Sequence, residues 1–278
     1  MTSSFSERLA AALSLHQTGE TAKAAERYAD LLREAEHSGA ESARQELRYY
    51  QAVMDYQAGR FEDAIAKARQ TLPGGPMEAR AHNLIGLCLA KSGKAKEAIG
   101  AFNAAIRTKP NFADAHGNLA NALVDLGRSG EALAAYDQAL KLRPDSPEDW
   151  ANRGSLLLDL GHADEALDSF DRAIALAPEI AATHFNRGNA LRDLGRAEDA
   201  LGAYDQALAL EPELAAAWVN RAIALRTVGR LPGAWQSIGQ ALEIDPDNPL
   251  ALAARGNLFH EAGDYDAAYA DFYRAANL

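Results

Sequence analysis

The chain has 278 residues and a formal net charge of −11. That sign repels phosphate backbones, so nucleic acid is not an expected partner. A single cysteine, Cys88, forbids an intrachain disulfide and suits a reducing compartment, here the cytoplasm. No apolar run approaches the ~18 residues of a membrane span, so no membrane association is expected.

Along the chain, residues 9–15 could pass for a short signal core. Glu7 precedes them, however, and they fit the register of a first helix. Gly19 lies 40 residues before Gly59, so the second helix of this first unit, or the loop near residues 37–42, is longer than the standard. From Gly59 onward the spacing is strict. Gly59, Gly93, Gly127, Gly161, Gly195, Gly229 and Gly263 are each 34 residues apart, and Pro76, Pro110, Pro144, Pro178, Pro212 and Pro246 keep the same step. A strict period of this length means one supersecondary unit stacked on itself, with a continuous local core. Residues repeated at that step spread along the array instead of converging, so a non-catalytic binding surface is expected and not an enzyme. Leu-Pro-Gly-Gly-Pro at 72–76 should stop a helix early and give a local bend or looser packing between the second and third units.

Residues 147–164 show the regular unit. Trp150, Gly154, Leu157 and Leu158 follow a 3.6-residue pattern. Gly161 then ends that helix, free to take a left-handed cap. Asp164 and Glu165 begin the next helix, where carboxylates suit the positive helix end. Ala166, Phe170, Ala173 and Ile174 form its buried stripe, and Ala177-Pro178 stops it. Each unit therefore reads as helix A, turn, helix B, turn. Small residues recur on helix A at Ala52, Gly86, Ala120, Gly154, Gly188, Ala222 and Gly256, and on helix B at Ala64, Ala98, Ala132, Ala166, Ala200, Ala234 and Ala268. They let the axes approach closely. Phe102, Tyr136, Phe170, Tyr204, Ile238 and Phe272 fill the neighbouring layer.

Trp150, Gly154, Leu157, Ala166, Phe170, Ala173 and Pro178 match the signature of the tetratricopeptide repeat (TPR) family, which the whole chain resembles. One departure is systematic: the signature Leu becomes Arg153, Arg187, Arg221 and Arg255. The resemblance implies an all-α fold, a right-handed TPR superhelix or α-solenoid of about eight helix-turn-helix repeats. The whole of 1–278 is expected to be one solenoid, with irregular repeats at 5–44 and 45–78 and regular ones at 79–112, 113–146, 147–180, 181–214, 215–248 and 249–278. The last repeat has no polar cap, which fits a fragment of a longer protein, an end-to-end contact through which the chain self-associates, or a frayed natural end.

Four asparagines recur on helix A, Asn118, Asn152, Asn186 and Asn220, with Asn121, Asn189 and Asn257 one turn further along. In the family, A helices line the inner surface, so the first set forms a ladder resembling that in the TPR arm of O-linked N-acetylglucosamine transferase. Carboxamides offer donor and acceptor together and can clamp a peptide backbone without reading its sequence. The other reading is that they bond neighbouring helices and hold the stack. The arginine series is expected to pair with helix B acids such as Asp137, Asp171 and Asp205, the alternative being an anion-binding stripe. Family resemblance also places Asp114, Asp125, Glu148, Asp159, Asp193 and Glu261 in the groove, with Phe185, Val219, Ile223, Arg192 and Arg226 toward its C-terminal end. A protein or peptide partner with basic and apolar residues would suit that lining. The lysines with which some TPR modules hold a chaperone's C-terminal carboxylate are missing: Asn83, Gly117, Ala151, Phe185 and Val219 stand there.

His82, His116 and His184 take the signature Trp position in different units, so core packing is expected and no metal site. Cys88 reads as a small buried filler. No motif for a cofactor is present. The expected function is a protein-protein interaction scaffold holding an extended partner segment in the concave groove. The alternative is the substrate-recruiting arm of a bacterial glycosyltransferase, because residues 6–32 and the Asn-Arg-Gly-Asn repeats are similar to TPR arms fused to such enzymes.

Overall fold

The computed structural model describes residues 4–72 and 74–278. Among them the chain forms sixteen α-helices and no strand, in two compact units that meet in sequence at Pro144 and Asp145. The first unit holds α1 (Phe5–Gln17), α2 (Thr21–His37), α3 (Glu41–Gln57), α4 (Phe61–Arg69), α5 (Glu78–Lys91), α6 (Ala95–Thr108), α7 (Ala113–Val124) and α8 (Ser129–Leu142). The second holds α9 (Pro147–Asp159), α10 (Ala163–Leu176), α11 (Ala181–Asp193), α12 (Ala197–Leu210), α13 (Ala215–Thr227), α14 (Leu231–Ile244), α15 (Pro249–Glu261) and α16 (Tyr265–Ala276). Odd-numbered helices are the A helices and even-numbered ones the B helices. Within each unit consecutive helices pack against one another as antiparallel pairs, the all-α solenoid arrangement.

The turn inside a hairpin is chemically simple. Gly161 takes φ +79°, and its N–H donates to the Leu158 carbonyl while that of His162 donates to Leu157, both at 2.9 Å. These two bonds satisfy carbonyls that the end of α9 would otherwise leave open. The turn out of the hairpin is made differently. Ala177 leaves α10 in an extended conformation, φ −143° and ψ 82°, as a residue before proline must.

Within a hairpin the A and B helices touch through the small-residue column. A Cβ at Gly86 would stand 2.4 Å from the Phe102 ring, one at Gly154 2.8 Å from Phe170, and one at Gly188 2.5 Å from Tyr204. Phe170 and Tyr204 are fully buried, as is Ile238 beside Ala222. Phe272, over Gly256 in the last hairpin, is the exception at 37% exposure.

The expected irregularities resolve as follows. The 40-residue first step is a matter of helix length: α2 and α3 have 17 residues each against 14 and 13 in α10 and α11, and only Ser38, Gly39 and Ala40 link them. The breaker at 72–76 does shorten the second B helix, since α4 has 9 residues, although Pro73 itself lies outside the described residues. Looser packing does not follow from it. Ala64 and Ala68 of α4 share one buried cluster with Ala81, Leu84, Ile85 and Cys88 of α5. Cys88 is fully buried there, and burial pushes its thiol up to about 11, so it is inert filler.

Two of the three histidines at the tryptophan position, His116 and His184, do more than pack. Trp218 donates its indole N–H to the Pro212 carbonyl at 2.8 Å. His184 and His116 place Nε2 at 2.8 and 3.0 Å from the carbonyls of Pro178 and Pro110. Imidazole in its Nε2–H form makes the same tie as indole, across the same six residues.

One buried group breaks the repeat. Asp55 occupies the position that is Leu89, Leu123, Leu157, Leu191 and Leu225 in later units, and it is only 3% exposed. Arg60 donates to its Oδ1 at 3.0 and 2.6 Å, and Lys67 donates to Oδ2. Lys67 stands where later units have Ala101, Ala135, Ser169 and Ala203. Burial alone would raise the Asp55 carboxyl, but the bonds from Lys67 and Arg60 outweigh it and hold the group below the ordinary carboxylate range.

Three outcomes are expected. Gly188→Ala drives a Cβ into the buried Tyr204 ring and should cost about 1–3 kcal/mol in urea denaturation. Gly202→Ala, at a helical glycine with open space around it, should instead stabilise by about 0.5–1 kcal/mol. Because the folded carboxyl of Asp55 is depressed, its contribution is fully present above the unfolded value of about 4 and is lost as pH falls through the lower folded value. Asp55→Asn should therefore melt below wild type at neutral pH, with the gap closing in an acid titration of melting temperature.

Candidate functional site

The ladder asparagines lie on the A helices, and the amide nitrogens of Asn118, Asn186 and Asn220 are already in use. In the second unit Asn220 Nδ2 donates to Asn189 Oδ1 at 2.8 Å, and the Tyr204 hydroxyl donates to the same oxygen at 2.9 Å. Asn186 Nδ2 lies 3.4 Å from Ser155 Oγ. In the first unit Asn118 Nδ2 donates to Asn83 Oδ1 at 3.0 Å, and the Tyr136 hydroxyl donates to Asn121 Oδ1. The asparagine bonds join α7 to α5, α11 to α9 and α13 to α11, so the stacking role is real for Asn118, Asn186 and Asn220. The carboxamides of Asn118, Asn186 and Asn220 still have a second N–H and an oxygen to offer. Asn152 sits half-buried on α9 at the same register position.

The arginine series is tied down by helix B. Arg187 Nε meets Asp171 at 2.6 Å and Arg221 Nε meets Asp205 at 2.6 Å, the expected partners. Arg221 also donates to Ser237 at 2.7 Å, and Arg153 donates to Ser169 at 2.8 Å. Arg255 would look back to Gly239, which has no carboxylate. It binds forward instead to Asp271 of α16 at 2.6 and 2.7 Å. These pairs set the geometry between helices more than they add stability, and they weigh against an anion-binding stripe.

A cavity of about 340 Å³ opens between α13 and α15. Its wall is apolar, formed by Val219, Ile223, Leu250 and Ala254, and its polar lining comes from Arg192, Asn220, Arg226 and Asn257. The sequence explains why it lies there. Ala254 stands where the ladder has Asn186 and Asn220, and Ile223 stands where the accepting partners are Ser155 and Asn189. Neither half of the polar tie exists between α13 and α15, so the helices meet through apolar side chains that leave space. Leu250 remains 68% exposed at its edge, and Asn257 is exposed with no side-chain bond. Arg226 pairs with Glu261 at 2.8 Å and Arg192 with Asp193 at 3.0 Å, yet neither carboxylate lines the cavity.

Of the sequence-predicted residues, the structure thus gathers Asn220, Asn257, Arg192 and Arg226 around one cavity. Asn152, Asn186, Asn189 and Asp159 lie in the same unit outside its lining, and Asn118, Asn121 and Asp125 belong to the first unit. Leu250 and Ala254 were missed, although the break in the asparagine column at Ala254 was a visible signal. No described helix is long and apolar enough to cross a membrane.

Paired helices stepped by 34 residues, glycine-turned and stacked through small residues, define an α-solenoid of helical hairpins. The chain belongs to the tetratricopeptide repeat family, whose models match residues 55–113, 118–181, 185–249 and 238–270. Among solved structures it is similar to a tetratricopeptide repeat protein from Parabacteroides merdae, with TM-score 0.63, 17% identity, and coverage of 84% of this chain and 92% of that one. It is similar to YrrB, a TPR protein with an unusual peptide-binding site, with TM-score 0.61, 22% identity, and coverage of 69% and 97%. MamA from Desulfovibrio magneticus RS-1 aligns with TM-score 0.58, 22% identity, and coverage of 61% and 96%. No curated protein sequence matches the chain.

Removing one ladder rung tests its structural part. Asn220→Ala deletes the tie to Asn189, whose oxygen keeps its bond from Tyr204, and should cost about 1 kcal/mol in chemical denaturation.

Proposed function

We propose that this chain is a non-catalytic protein-binding scaffold, and that the A-helix face of its second unit holds an extended segment of a partner. The observation that carries the reading is the α13–α15 cavity. It is open, apolar-walled and bordered by carboxamides with unused hydrogen-bonding capacity. Its volume lies at the small end of ligand pockets and suits one bulky apolar side chain. Asn220 and Asn257 then lie where the backbone flanking that side chain would run, and one rung meets roughly every third residue of an extended chain.

The charge lining the cavity refines the partner. Both charged side chains on it, Arg192 and Arg226, are cationic. The complement at this end is therefore an apolar residue with a carboxylate beside it, in contrast to the basic residues suggested by the acids further along the A helices. YrrB, with a similar fold and a described peptide-binding site, supports the class of function.

The test is selection from a library of random extended peptides, followed by titration of the winners by fluorescence polarisation. Leu250→Asp changes an exposed edge residue and should leave melting intact while weakening binding by at least tenfold. Asn257→Ala should weaken it severalfold. Peptides that bind both variants as tightly as wild type would move the site elsewhere, and a library yielding no binder would remove the reading.

A further inference from the structure

We infer that the exposed face of α6, in the first unit, is a docking surface for an acidic segment of a partner protein. The repeat at 79–112 carries Arg80, Lys91, Lys94, Lys96, Arg107 and Lys109 against one acid, Glu97, in a chain whose net charge is −11. Lys91, Lys94, Lys96, Arg107 and Lys109 are all exposed, and among the described residues none of them forms an ion pair. Unpaired positive charge is thus concentrated in one repeat of an acidic chain.

The repeat register shows that the sign is reversed there, not merely uneven. Lys96 stands where α4, α10, α12 and α16 carry Glu62, Asp164, Glu198 and Asp266. Lys91 stands where later units carry Asp125, Asp159, Asp193 and Glu261. Lys91 suits the negative end of α5, but Lys96 lies in the first turn of α6, where the helix dipole opposes a cation. The stability of α6 therefore does not account for it. At the register of Lys94, Arg128 pairs with Glu131 and Arg196 with Asp199, both at 2.7 Å. Lys94 has Glu97 at the same spacing and forms no pair with it.

The face has a shape as well as a sign. At about 100° per residue, Lys96, Gly100, Asn103 and Arg107 fall within a sector of about 60° on α6. Gly100 is exposed with open space around it. Glycine weakens a helix, and here it packs against nothing in the chain, so what it provides is close access to the α6 backbone. α12 has a glycine at the same position, Gly202, but sets it between Glu198 and Asp205. α6 sets it between two cations roughly 16 Å apart along the axis. The extent of the positive field then selects the partner. The B helices before and after begin with acids, Glu62 and Asp63 on α4 and Glu131 on α8. Packed helices stand about 10 Å apart, close to the screening length at physiological salt. A nucleic acid or a membrane surface would extend over those acids. A short acidic stretch lying along α6 meets Lys96 and Arg107 at its ends and Gly100 between them.

The test titrates a fluorescein-labelled peptide of four Glu-Ala-Ala-Ala repeats with the full chain, read by fluorescence polarisation. The peptide should bind wild type, and more weakly as salt rises. Lys96→Glu and Arg107→Glu should each weaken binding by about fivefold or more, whereas Lys23→Glu, an equal change of net charge on α2, should alter it by less than about twofold. Gly100→Leu changes no charge and fills open space, so it should keep or raise the melting temperature and still weaken binding by about fivefold. A wild-type chain that does not bind the peptide, or binding indifferent to Lys96→Glu and Arg107→Glu, overturns the proposal. Gly100→Leu binding as tightly as wild type overturns the seat along α6. Tighter binding of a single-stranded DNA oligomer or of phosphatidylserine vesicles, lost in the same charge variants, gives the face to another class of partner and overturns the proposal. Self-association of wild type that Arg107→Glu abolishes gives the face to a second copy, with the same consequence.

Discussion

In the hairpins built on Gly86, Gly154 and Gly188, a ring from the B helix occupies the space that a side chain on the A helix would need. Dispersion and apolar burial both grow as the helix axes approach, and these glycines allow an approach that alanine would not. The conformational penalty for glycine in a helix, roughly 1 kcal/mol at each site, is offset by burying an entire aromatic side chain against backbone. Every other feature of the second unit is referred to this spacing. It sets how far apart successive A helices stand, and so which side chains can bridge them.

Between hairpins the chain uses polar ties where it uses rings within them. Each of Arg187, Arg221 and Arg255 meets one carboxylate, reached backward for the first two and forward for the third, where Gly239 has removed the backward acid. One acid per arginine is kept although its location moves. That is the behaviour expected of a group whose positive charge must be compensated when partly desolvated. Asp55 follows the same logic with the signs reversed: a carboxylate at a leucine position is accompanied by a lysine at a small-residue position and an arginine after the turn.

Much of this was legible in the sequence because the period is strict. The glycine-terminated A helices, the extended residue before proline and the arginine–aspartate partners follow from local chemistry repeated in register. What the register could not supply is what happens where it fails. The period marks the 40-residue first step as abnormal without saying whether helix or loop absorbs it, and α2 and α3 absorb it between them. The breaker at 72–76 ends α4 early, yet alanines at 64 and 68 still fit against α5, because small residues tolerate a changed exit path. Asp55 was invisible for a different reason. Its partners lie five and twelve residues further on, Arg60 in the turn and Lys67 on α4, and only their departure from the repeat, not any motif, connects them.

The candidate site belongs to the same class of exception. From α9 to α13 the A helices are joined by a carboxamide donor and a polar acceptor, Asn186 to Ser155 and Asn220 to Asn189. At the next step donor and acceptor change together, to Ala254 and Ile223. Losing only the donor would leave a half-buried acceptor unsatisfied, and losing only the acceptor would strand a carboxamide against apolar surface. Losing both leaves an apolar gap of useful size and no polar penalty. The cavity is therefore not a flaw in the stack. It is the one place in the second unit where the inter-helix tie has been replaced, as a pair, by a surface that an incoming apolar group can complete.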